Sequence, residues 1–301
     1  MRPLVVLIVL LVVGTAGWYA WRSSSQDDAL ADLARLAESL HEAMDHSQSE
    51  RLYDEAAELA LAADKVDDHW SYRAQRGVCL KMLNRTEEAF GELLPALAYA
   101  RENGLRRMEA LALGNLARCA SLDGDDPAAL DWQGQLADVL AEFGEPREHV
   151  LVLEQAAMLS LRLGDEALAL ERIEAALARN AEAPPEDDQS GNLLREKAWI
   201  LASRVDDEGA AALWAEAPPS AAGRARQAQH EAKLGDHAAA AALAWEAARL
   251  FEEEGPDRRV ARDDAVVLHL SELIEDGQLD ACARRLDELL AAAGGQSEGL
   301  A

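Results

Sequence analysis

Aromatic residues are scarce in this chain of 301 residues, 5% in all, and cysteine occurs three times. Strands favour β-branched and aromatic side chains, so this shortage, beside abundant Ala and Leu, favours an all-α fold. Cys79, Cys119 and Cys282 are too few to frame a disulfide-stabilised chain of this length, and they read as small buried residues. Positive charge is also short. The chain carries 29 Lys and Arg against 56 Asp and Glu, a formal net charge of −27. A surface this acidic repels phosphate backbones and anionic lipid, which argues against nucleic-acid binding and against membrane docking through a basic patch. The same acid keeps an Ala- and Leu-rich helical protein soluble.

Catalytic signatures are missing as well. The sequence has no Walker-A loop, no Gly-x-Gly-x-x-Gly, no Gly-x-Ser-x-Gly and no Cys-x-x-Cys. His41-Glu42-Ala43-Met44-Asp45-His46 superficially resembles a zinc-protease helix. That chemistry needs histidines four apart on one face, whereas these are five apart with Asp45 in the four-apart place. Asp123-Gly124-Asp125-Asp126 resembles a calcium loop but has Ala128 and Gly134 where glycine and glutamate are required. No nucleophile, base or metal set converges, so the expectation is a non-enzyme without cofactor or metal. Asn84-Arg85-Thr86 is a lone glycosylation sequon and reads as chance.

Long apolar runs are limited to one. Residues 4–21 carry no charge between Arg2 and Arg22, and Trp18, Tyr19 and Trp21 cluster at the far end. Eighteen positions approach the ~20 that span a bilayer as a helix, and aromatic rings prefer its interface. Residues 1–22 are therefore expected to form an N-terminal transmembrane anchor, with a cleaved signal peptide as the alternative. The short basic N-tail places residues 23–301 outside the cytoplasm, in the periplasm. Residues 23–28 form a polar linker.

What the chain does have is repetition. Tight turns pivot on Asn84, Gly124, Gly164, Asp206, Gly235 and Gly277, at spacings of 40, 40, 42, 29 and 42. Five residues after each pivot stand Ala89, Ala129, Ala169, Ala211, Ala240 and Cys282. Seven before stand Gly77, Ala117, Ala157, Trp199, Ala228 and Leu270, small in four of six. Small residues at fixed places in paired helices let backbones approach closely and let neighbouring pairs cover each other's apolar faces. An earlier pair is expected with 27–45 as its first helix and Tyr53-Asp54-Glu55-Ala56 opening the second. Cys79 and Cys119 hold equivalent places in successive repeats, roughly 8–10 Å apart, beyond the ~7 Å reach of a disulfide.

The small first-helix residue, the Gly/Asn-Asp turn and the Ala-x-x-x-apolar-x-x-Ala run of the second helix resemble the tetratricopeptide repeat family. The best copies are Arg73–Ala100, Leu113–Leu140 and Leu153–Arg179, and the 40–42 spacing is similar to the longer repeats of kinesin light chains. The first-helix aromatic of the family is mostly absent. The resemblance implies a right-handed α-solenoid of six to seven helix pairs over residues 29–293, with a flexible tail at 294–301. Breaks in the array are expected near 181–191, an acidic Pro-containing loop, or at 217–220.

The resemblance also implies that the array binds proteins or peptides on a surface formed by its first helices. Lys81, Arg162, Arg204 and Lys233 recur near the ends of those helices and are candidate groove cations for an acidic partner segment. Cations in a helix's last turn also stabilise its dipole, and that reading stays open. The expected role is an anchored scaffold of the cell envelope, with assembly or chaperone-like duties. A non-catalytic regulatory subunit of an envelope enzyme and a secreted soluble repeat protein are the alternatives.

Overall fold

The computed structural model describes residues 28–286 and 288, leaving out 145, 185–187 and 205. The expected anchor at 1–22 and tail at 294–301 lie outside the described residues. Asp28, assigned to the linker from sequence, is already helical. Among the described residues there are helices and no strands, and no helix is long and apolar enough to cross a membrane.

The chain divides into two compact units, the boundary falling between Leu159 and Ser160. In the first unit, α1 (28–42) and α2 (His46–Ala62) precede α3 (Val66–Met82) and α4 (Thr86–Asn103), followed by α5 (Arg106–Leu122) and α6 (Asp126–Phe143). Helix α7 (Pro146–Arg162) contains the boundary. Successive helices from α2 to α6 pack on one another, and α3 also touches α5. The second unit holds α8 (Glu166–Asn180), α9 (Ser190–Ser203) and α10 (Asp207–Glu216). It continues with α11 (Ala221–Leu234), α12 (His237–Glu254), α13 (Arg259–Glu275) and α14 (279–286). Residues 181–184, 188–189 and 217–220 lie between helices of this unit, while 190–191 already belong to α9.

Five helices of the first unit end by one recurring device. Met44, Asp64, Asn84, Gly104 and Gly124 have positive φ and fall twenty residues apart. After each, the next N–H reaches back five residues to a carbonyl. Asp45 bonds Leu40 at 2.8 Å, Lys65 bonds Ala60 at 2.9 Å, Arg85 bonds Leu80 at 2.9 Å, Leu105 bonds Ala100 at 2.8 Å and Asp125 bonds Ala120 at 2.9 Å. This is the Schellman closure, which satisfies carbonyls left open at a helix end. In several turns the same residue also starts the next helix. The Asp45, Asp125, Asp165, Asp206 and Asp236 side chains accept from backbone N–H groups three residues on, at 3.0–3.1 Å. Such caps satisfy donors left open at a helix start.

The turn at Asp206 corrects the sequence alignment. Its N–H bonds the Leu201 carbonyl at 3.0 Å, so Asp206 occupies the place of Asp125 and Asp165, one residue past the pivot. The fourth pair therefore shifts by one. Ala198 replaces Trp199 in the first-helix column, and Ala210 replaces Ala211, which is exposed, in the second. In the corrected columns Ala37, Gly77, Ala117, Ala157, Ala198 and Ala228 with Ser49, Ala89, Ala129, Ala169, Ala210 and Ala240 are buried, while in the last pair Cys282 is buried and Leu270 half-buried. At Gly77 a Cβ would stand 2.7 Å from Leu93 Cγ, which shows how closely α3 approaches α4. Around these seams Leu80, Leu93, Leu113 and Leu116 are fully buried, each contributing about 1.5–3 kcal/mol.

Candidate functional site

The main hollows of the first unit lie along one face of α5. Leu111 borders three of them, of about 530, 480 and 320 Å³. Residues Arg107, Ala110, Leu111, Gly114, Asn115 and Arg118 supply the α5 wall. Their spacing of three and four residues puts them on one helical stripe. Asp68, Ser71 and Gln75 of α3 face the 530 Å³ hollow, while Glu148, Leu151 and Gln155 of α7 face the 320 Å³ one. Together these hollows make a groove with an apolar floor and a polar rim.

The repeat places an amide at the same position on three successive first helices, Gln75, Asn115 and Gln155, forty residues apart. Gln75 and Gln155 make no hydrogen bond among the described residues. Asn115 accepts from Lys81 Nζ at 2.7 Å and donates from Nδ2 to the Leu111 carbonyl at 2.7 Å. On the α6 wall, the buried Oε1 of Gln133 has no hydrogen-bond partner among the described residues. An amide offers both donors and an acceptor, so such a row matches the alternating N–H and C=O groups of an extended peptide.

Of the four cations expected from sequence, Lys81 lies in the first unit and Arg162, Arg204 and Lys233 in the second. Lys81 is buried, 7% exposed, behind Asn115 instead of on the rim. Its ammonium has no carboxylate partner among the described residues, and burial first, then the nearby Arg118 charge, lowers its pKa. Lys233 is exposed and lies 5.5 Å over the Trp199 ring, held within the second unit. Arg162 is exposed at the end of α7, and Arg204 follows the last residue of α9. Apart from Arg106, which pairs with Glu109 and Glu142, the cations that border the groove are Arg107 and Arg118, which sequence reading passed over. Neither has an ion-pair partner among the described residues. Alignment of the polar positions of the first helices, beside the small ones, exposes both the amide row and Arg118.

His41 and His46 lie on different helices, because Asp45 ends one and caps the next. Their Nδ1 atoms approach to 3.2 Å, and Cys79 Sγ stands 3.6 Å from His41 Nδ1. Among the described residues no group of three His, Cys, Asp or Glu is arranged to hold a metal ion. Cys79, Cys119 and Cys282 are free thiols, and burial pushes Cys119 up to about 11. A thiol so raised is a poor nucleophile at neutral pH.

No protein-family model matches the chain, and no curated protein sequence matches it. Solved structures do. A putative kinesin light chain with TPR-like repeats from Podospora anserina is 15% identical, with a TM-score of 0.53, covering 67% of this chain and 96% of its own. Pseudomonas aeruginosa pilF is 18% identical, with a TM-score of 0.54, covering 76% and 94%. The apo quorum sensor NprR from B. thuringiensis is 14% identical, with a TM-score of 0.52, covering 87% and 75%. At these identities the likeness establishes the fold alone: an all-α, tetratricopeptide-repeat-like solenoid.

Proposed function

We propose that the protein is a non-catalytic scaffold whose first unit holds an extended polypeptide segment in the groove along α5. The observation that carries this reading is the amide row of Gln75, Asn115 and Gln155, combined with the unpaired acceptor of Gln133 above an apolar floor. Neighbouring first helices lie roughly 8–10 Å apart, and an extended chain advances about 3.3 Å per residue. Every third residue of a bound peptide thus meets an amide, while side chains between them rest on Leu111 and Leu151. The apolar, uncharged sequence of residues 4–21 supports a further part of the proposal: the array is tethered to a membrane and works on the extracytoplasmic side, in the cell envelope.

The test is a screen of random peptides against residues 28–301 and against the variant Gln75→Ala/Gln155→Ala. Bound peptides are expected to lose about tenfold in affinity with the variant, the worth of one to two hydrogen bonds. Equal binding by both proteins would remove the groove from consideration. Topology is tested separately, by protease accessibility of the full chain in intact cells: protection of residues 23–301 would contradict the extracytoplasmic placement.

A further inference from the structure

We infer that the second unit carries a self-association surface, the outer face of α13, which pairs antiparallel with the same face of a second copy of this chain; this is independent of the groove reading above. The fold leaves three large apolar side chains of α13 in water. Val260, Val267 and Ile274 are 74%, 65% and 52% exposed. They fall seven residues apart, and a drift of only about 20° per step keeps them on one stripe roughly 21 Å long. The opposite side of α13 meets its own unit. Ala265, His269, Glu272 and Leu273 are buried there, and Leu273 packs with Ala241 and Cys282. A contiguous apolar row on the outward side of a helix marks a place where another surface settles.

Charge indicates what settles on it. In α13 the cations Arg258, Arg259 and Arg262 stand at the start and the anions Glu272, Glu275 and Asp276 at the end, with no acid in the first turn and no base in the last. A helix is positive at its N-terminus and negative at its C-terminus, so this order opposes the dipole of α13 itself. Helices α3, α4 and α8 have the favourable order, acids first and a base last. An antiparallel neighbour of the same sequence reverses the sign at both ends. Several of these charges are already matched within one copy: Arg258 pairs with Glu254, Arg262 with Asp263 and Glu272 with His237. Arg259 and Glu275 are exposed and have no ion-pair partner among the described residues. Each stands eight residues from Val267, as Val260 and Ile274 each stand seven. A two-fold axis at Val267 therefore sets Val260 beside Ile274 of the partner subunit, and Arg259 level with the partner's Glu275, about 12 Å along the helix from the axis. Asp263 and Asp264 border the stripe and each copy carries a net charge of −27, so the copies repel at long range until salt screens them. One helix face also offers less than the ~800 Å² per partner of a standard interface. The association is accordingly weak and reversible.

The test uses the full chain with single engineered cysteines, the native thiols Cys79, Cys119 and Cys282 being buried. Under mild oxidation at physiological ionic strength, Val267→Cys is expected to link to itself, because it lies on the axis. Val260→Cys and Ile274→Cys on differently tagged copies are expected to link to each other, and neither to itself. Self-linkage of Val260→Cys as strong as that of Val267→Cys, or no linkage by any of the three, would overturn the antiparallel pair. Sedimentation of the full chain supplies a second arm. Val267→Asp is expected to weaken the dimer about tenfold or more, since two carboxylates then meet on the axis. Arg259→Glu and Glu275→Arg should each weaken it about threefold, the scale of exposed ion pairs, and the double variant should recover it. A double variant no tighter than either single one would overturn the charge matching, and with it the choice of a second copy as occupant. Labelling of Val267→Cys by a maleimide separates the remaining case. Labelling that slows only as protein concentration rises supports the pair. Slow labelling at every concentration would place the stripe under residues 289–301 of the same chain and overturn the proposal.

Discussion

The same position of the repeat is treated differently in the two units. In the first, the amides Gln75, Asn115 and Gln155 occupy it and face open hollows. In the second, the position falls to Glu196 and Arg226, and these two side chains pair with each other. Glu196 is buried there, so the stripe is closed by its own ion pair. Lys233 is likewise folded onto Trp199. The difference teaches that a repeat fold does not by itself confer a binding surface. In the first unit the groove runs where Gln75 and Gln155 keep their amides without hydrogen bonds among the described residues.

The largest effect expected from probing this contrast comes from the cores. Leu113→Ala and Ile200→Ala each remove a fully buried side chain, from the first and second unit respectively, and each should cost about 2–5 kcal/mol in urea unfolding. Leu113→Ala should also weaken peptide binding, whereas Ile200→Ala should leave it intact while the protein is folded. Equal loss of binding would break the assignment of the groove to the first unit. Next comes the ion pair. Arg226→Ala strands a buried carboxylate and should cost about 1–3 kcal/mol. The double variant Glu196→Gln/Arg226→Gln should cost less and, by restoring an amide stripe, add weak peptide binding to the second unit. Calorimetry showing a single unchanged stoichiometry would count against the stripe as the determinant.

Smaller effects follow from the glycines facing the seams. Gly77→Ala drives a methyl against Leu93 and should cost about 1–3 kcal/mol. Gly114→Ala meets only Leu136 Cδ2 at 3.4 Å and should gain about 0.5–1 kcal/mol, since glycine inside a helix is entropically expensive. Thermal melts of the pair decide the matter. The mildest test is pH. Burial lowers the pKa of His41, assisted by His46 and Lys81, and burial also lowers that of His269. For both groups the unfolded chain takes up a proton first. Their contribution is therefore present above about pH 6.5 and is lost as pH falls through the lowered values. One acid-sensitive imidazole sits in each unit, so both should weaken together; His41→Asn should uncouple them in a pH series of denaturant melts.

Much of the fold was legible because its signals are chemical. Glycine at 124, 164, 235 and 277 takes the left-handed conformation for which it is suited, and the aspartate after each of the first three caps the next helix. The pivots at Met44 and Asp64 were not, since neither residue type announces positive φ. With them went the twenty-residue step that underlies the forty-residue one. Asp206 was mistaken for a pivot because aspartate serves either role. The surroundings of the cations were hidden for another reason. Position along a helix does not say whether a long side chain runs inward, as Lys81 does, or over a ring, as Lys233 does. The amide row was present in the sequence at constant spacing but was hidden among exposed polar residues, where spacing alone carries no sign of an empty partner.

An aspartate that closes one helix through its N–H and opens another through its carboxylate leaves no slack in the chain. Adding or deleting one residue beside Asp125 or Asp165 would uncouple both events together and rotate everything downstream by about 100°. Changes of length during divergence should therefore be tolerated at 181–189 and 217–220 and rejected at these hairpins. The protein can lengthen its connectors without losing its architecture, but only where no single side chain answers for two helices.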